Sequence, residues 1–145
     1  MKTIGIHFTT LALLICGIVL AGIGLSITLS PSGFYASSGI ALGGDASLIS
    51  ELRAPAGMLV VAGLIILTSL WITHLRPYAW FLAALIYLSY GVARVVGFGI
   101  DGMPHASIVS AAVIEIILGM ISLAMLKGAA RSAKNENGAE TTAIS

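Results

Sequence analysis

Between Arg53 and Arg76 the chain runs for 22 residues without an aspartate, glutamate, lysine or arginine. A helix rises 1.5 Å per residue, so about 20 such residues cross a hydrocarbon layer about 30 Å thick. The run has company. Ile4 to Leu29 is equally free of charge and interrupted only by His7, and two more apolar stretches follow Arg76. Inside a bilayer each backbone amide must be bonded within the protein, and for single runs of this length the helix achieves that. The chain is therefore predicted to be all-α, a polytopic membrane protein with four transmembrane helices in an antiparallel bundle. The spans fall at about 4–29, 54–73, 78–98 and 105–126.

Composition removes the competing classes. With 58% hydrophobic and 9% charged residues and a mean hydropathy of +1.05, too few polar side chains exist to coat a soluble globule. The same figures exclude a disordered chain. Four spans consume most of the 145 residues, so residues 1–127 make a single membrane domain, with no room for a separate catalytic one. Residues 128–145 are polar and lack apolar periodicity, as a disordered cytoplasmic tail would. The opening of the chain, Lys2 followed by an apolar run, resembles a signal peptide. Its run of 26 residues exceeds the 7–15 of a signal core and no small-residue cleavage site ends it, so it reads as an uncleaved span.

Ser30-Pro31-Ser32-Gly33 ends the first span, and residues 30–50 are expected to form a loop with a short interfacial helix near Ala46–Glu51. Arg76-Pro77 makes a tight turn, and Gly99 to Pro104 a turn-rich connector. Basic residues divide unevenly: Lys2, Arg76, Lys127, Arg131 and Lys134 fall on one side. Arg53 stands alone on the other, beside Asp45, Glu51 and Asp101. The positive-inside rule then places both termini in the cytoplasm, N-in and C-in. A net charge of +1 gives no basis for nucleic-acid binding. The one cysteine, Cys16, cannot form an intrachain disulfide.

Arg94 and Glu115 carry the most information, because each lies within an apolar span, where a lone charge costs several kcal/mol. Counting from the span ends, Arg94 is roughly 8 Å below its outer end and Glu115 roughly 15 Å below its own. That offset is within reach of an extended arginine. The pair is either a buried ion pair that fixes packing or, with Arg53, a ligand-binding site. Glu51 and Asp101 would then mark the pocket mouth, or else be solvated helix ends. Tyr87, Tyr90, Gly91, Arg94 and Phe98 share one face of the third span at helical spacing. Ala111, Glu115, Gly119 and Ser122 form a small, polar stripe on the fourth. On the second, Arg53, Gly57, Val60 and Gly63 or Leu64 fall on one side. On the first, Gly17-xxx-Ala21, Gly22-xxx-Ser26 and Gly24-xxx-Thr28 permit close helix approach.

No nucleotide-binding, zinc-protease or Ser-His-Asp pattern is present, so no catalytic residue and no cofactor is expected. His7 and His74 suit interfacial positions better than haem ligation, and Asp101-x-x-x-His105 lacks the further ligands of a metal site. Three functions stay open. The first is the binding of a lipophilic or amphipathic small molecule in an outward-facing polar pocket. The second is a structural or accessory subunit of a membrane complex. The third is a proton-coupled transporter or membrane enzyme using Glu115. Expected partners are the lipid bilayer and either a second copy of the chain or another membrane protein.

One further signal is a family resemblance. Glu51-Leu52-Arg53-Ala54 with Gly57, then Gly91-Val92-Ala93-Arg94 with Gly97, then Asp101-Gly102-Met103-Pro104 and finally Glu115 follow in order. This series resembles the bacterial four-helix membrane family catalogued as domain of unknown function 4345, over roughly residues 5–127. The resemblance implies four spans and a bacterial inner-membrane location. It singles out Arg53, Arg94, Asp101 and Glu115 as polar positions and implies no activity.

Overall fold

The computed structural model describes the backbone of residues 2–144 and the side chains of residues 7–129. It is helical, with α1 (Lys2–Leu29), α2 (Pro31–Ala36), α3 (Ala46–Thr68), α4 (Arg76–Asp101) and α5 (Ala106–Ile144) in chain order. Among the described residues there is no strand. Four helices are long and apolar enough to cross a membrane, which is compatible with a multi-pass membrane protein. The tail expected from residue 128 lies, beyond Ala129, outside the described side chains.

The elements differ from expectation at three places. The segment after Ser30 is not all loop: Pro31 supplies the fixed φ of a helix start, and a short helix, α2, follows. The expected separate interfacial helix at Ala46–Glu51 does not exist. It is the first turn and a half of α3, whose start is set by Asp45, with its carboxylate accepting from the Ser47 and Leu48 amides at 2.8 and 3.3 Å. The helix then continues through Pro55, so the charged Glu51 and Arg53 stand on the long apolar helix itself. At the other end of the molecule a 3-10 turn, Thr73–Leu75, leads into α4 with Arg76-Pro77 at its first positions. Gly102, at φ +93°, terminates α4.

Packing is in two antiparallel pairs. α1 lies along α3, and glycine sets their distance: a Cβ on Gly63 would stand 2.5 Å from the Ala21 amide nitrogen and 2.8 Å from the Gly17 carbonyl oxygen. Further along, Gly24 meets the Ala56 carbonyl and Val60 amide in the same way. α4 lies along α5, with Gly91 against Ile116 and Gly119 against Leu88. Such close backbone approach gives dispersion contact where lipid leaves no hydrophobic driving force between helices. Gly57, on the expected stripe of α3, and Gly22 meet nothing within 4 Å.

The pairs join over a core of Leu13, Cys16, Leu20, Leu59, Ile66, Trp80, Ala83 and Tyr87. Two polar contacts cross this seam. The Tyr87 hydroxyl donates to the Cys16 carbonyl at 2.8 Å, and Cys16 Sγ lies 3.8 Å from Ser122 Oγ. The buried Ser69 and Ser122 hydroxyls also donate to carbonyls three and four residues back, at 2.6 and 2.7 Å, so neither is stranded in the apolar interior. Leu11, Ile18, Met58, Val61, Phe81, Leu85, Val92 and Ile117 point outward and are exposed. Tyr87→Phe removes the 2.8 Å hydrogen bond across the seam and is expected to cost about 1 kcal/mol in thermal unfolding in detergent. An unchanged midpoint would show that the seam is held by packing alone.

Candidate functional site

At the end of the bundle that carries the α1–α3 and α4–α5 connectors, the two pairs splay apart around a cavity of about 420 Å³. Its walls come from both pairs. Ile23 and Ile27 of α1, Leu52, Pro55 and Ala56 of α3, Ile86 of α4, and Ile108, Ala111 and Ile114 of α5 make it mainly apolar. The α1–α3 connector closes over it with Phe34, Tyr35, Ser38 and Ile40. Tyr87, tied to α1 beneath, lines it as well.

Arg94 and Glu115 stand together in this wall. Arg94 Nε donates to both Glu115 oxygens, at 3.1 Å to Oε1 and 2.9 Å to Oε2. The depths differ from those counted in the sequence because α4 runs on to Asp101 and α5 starts at Ala106. The axial offset thereby shrinks to roughly 3 Å at 1.5 Å per residue. Gly91, one turn from Arg94, lets α5 come close enough for Glu115 to meet it.

The contact has a consequence for chemistry. A guanidinium carries five N–H donors in a planar fork, and Glu115 engages it through Nε. The two terminal amino groups make no hydrogen bond among the described residues. The exposures fit: the Arg94 side chain is 34% accessible, whereas that of Glu115 is 12%. Tyr35 and Tyr90 also line the cavity, and neither hydroxyl is hydrogen-bonded among the described residues. Donors and acceptors without protein partners thus converge on an apolar chamber, the usual composition of a small-molecule site.

The other residues singled out in the sequence go elsewhere. Arg53 lies outside the lining; its Nε donates to the Thr28 carbonyl at 3.1 Å, holding the last turn of α1, where a cation suits the helix dipole. Glu51 and Asp101 are exposed and likewise outside the lining. His105 serves the start of α5, with its Nδ1 2.9 Å from Ser107 Oγ. Among the described residues no three His, Cys, Asp or Glu side chains gather around a metal position. Sequence reasoning missed Tyr35 and the whole connector roof. The Phe34-Tyr35 pair after Pro31, two large rings in a Ser/Gly-rich stretch, was the available signal.

A family model described as a domain of unknown function, DUF4345, matches residues 8–126. No curated protein and no solved structure matches the chain.

Proposed function

The chain belongs to the DUF4345 family, and from that premise, which assigns no activity, we propose that it binds a lipophilic or amphipathic small molecule in the cavity between its helix pairs. The observation that carries this is the guanidinium of Arg94, which belongs to a side chain lining the chamber and 34% accessible, and which Glu115 holds through one nitrogen. A structural ion pair would gain from spending the whole fork on the carboxylate, since bidentate pairing is the stronger arrangement. Here the polar head of a ligand would meet Arg94, Tyr35 and Tyr90, and its apolar part would lie against Ile23, Ile27, Leu52 and Ile108. A chamber of about 420 Å³ falls in the range of about 300–1,000 Å³ typical of such sites.

The excess of Lys and Arg at the opposite end supports a placement with both termini in the cytoplasm. The cavity then opens toward the outer face of a bacterial inner membrane. The proposal is tested with Ala111→Phe, which puts a ring into the chamber from the α5 wall. Wild type and variant are purified in a mild detergent, extracted into organic solvent and compared by mass spectrometry. Wild type is expected to carry a discrete compound at near-stoichiometric amount, depleted at least tenfold in the variant. Identical extracts from two equally stable proteins would overturn the proposal.

A further inference from the structure

Resting on the binding role above, we infer that the ligand's head is uncharged: an amphiphile whose polar end carries hydroxyl or carbonyl oxygens, and not a carboxylate, sulfonate or phosphate. Among the residues that line the chamber Arg94 and Glu115 alone are charged, and at 2.9 Å they neutralise each other. The other cationic candidates at this end stand outside the wall: Arg53 is occupied at the Thr28 carbonyl, and His105 holds Ser107 Oγ at 2.9 Å. An anion set against the open amino groups of Arg94 would share one guanidinium with Glu115. The chamber would then hold a net negative charge inside an apolar wall, where uncompensated charge is costly. An uncharged oxygen meets no such obstacle. It accepts from the free N–H groups of Arg94, and a hydroxyl on the same head donates to Glu115 or exchanges hydrogen bonds with Tyr35 and Tyr90. The site is thus built as a matched dipole, with its cation already balanced before anything enters.

The test uses the full chain in phosphatidylcholine nanodiscs and two photoreactive probes of equal chain length, a monoacylglycerol and an alkyl sulfonate. Adducts are mapped by mass spectrometry to the cavity wall. In wild type the monoacylglycerol is expected to label cavity residues at least fivefold more than the sulfonate at equal membrane concentration. Glu115→Gln leaves Arg94 as a net cation and is expected to reverse that order. Should this variant not fold, the wild-type ratio decides by itself, and Tyr90→Phe, which keeps both charges, is expected to lower monoacylglycerol labelling about threefold. Equal or stronger labelling by the sulfonate in wild type would overturn the uncharged head while leaving a ligand chamber. Labelling by both probes that is no higher than in Ala111→Phe would overturn the chamber, and this inference with it.

Discussion

Gly63→Leu is expected to destabilise the folded protein by about 3 kcal/mol, the upper end of overpacking costs. The reason is where the new atoms must go. A Cβ on Gly63 would stand 2.5 Å from the Ala21 amide nitrogen and 2.8 Å from the Gly17 carbonyl oxygen, and these are backbone atoms of α1, not side chains that can rotate away. Relief requires α1 and α3 to separate along the middle of the bundle, which loses contact at Gly17, Ala21 and Gly24 together. Gly57→Leu, six residues earlier on the same helix, is the control. It has nothing within 4 Å and exchanges glycine for a better helix former, so it is expected to be neutral or slightly stabilising. Thermal unfolding of both variants in one detergent checks the pair. Similar losses in the two would refute the close approach of α1 and α3.

Glu115→Leu is expected to cost about 3 kcal/mol, because it strands the guanidinium of Arg94 against an apolar wall and a guanidinium does not give up its proton. Arg94→Met/Glu115→Leu is expected to recover most of that loss, giving a coupling of about 2 kcal/mol in a double-mutant cycle on unfolding free energy. The recovery follows from removing both charges at once, as replacement of a paired set by apolar groups tends to be tolerated. Singles that leave stability unchanged would mean that water in the cavity solvates each charge, and that the pair contributes nothing to folding.

Much of this architecture was legible because helices long and apolar enough to cross a membrane announce themselves by length. Charge-free runs near 20 residues mark the four long apolar helices almost unaided, and of the five residues that spacing set on one face of α4, Tyr87, Tyr90 and Arg94 line the cavity while Gly91 and Phe98 do not. What spacing does not fix is which of several small stripes meets a neighbour. The expected stripe of α3 took in Gly57 with either Gly63 or Leu64, yet Gly57 faces open space and Gly63 faces α1, since a stripe wider than a helix contact leaves the rotation undetermined. Arg53 shows a different limit. Its position near a span end suits a pocket mouth and a helix cap equally, and the choice depends on where the last carbonyls of α1 arrive. The roof formed by Tyr35 and Ser38 had only the Phe34-Tyr35 ring pair to signal it, because connectors carry no periodicity to say what they cover.

The division into pairs also bears on how the protein is made. α1 with α3, and α4 with α5, are successive long helices of the chain, so each pair is a hairpin that can close as soon as its second member is synthesised. Arg94 and Glu115 belong to the same hairpin. The one ion pair among the described residues is therefore cancelled inside the second half, and neither half depends on the other to mask it. Docking the halves leaves the seam of Cys16, Tyr87 and Ser122 to be formed last, with the chamber as the space that their fit does not fill.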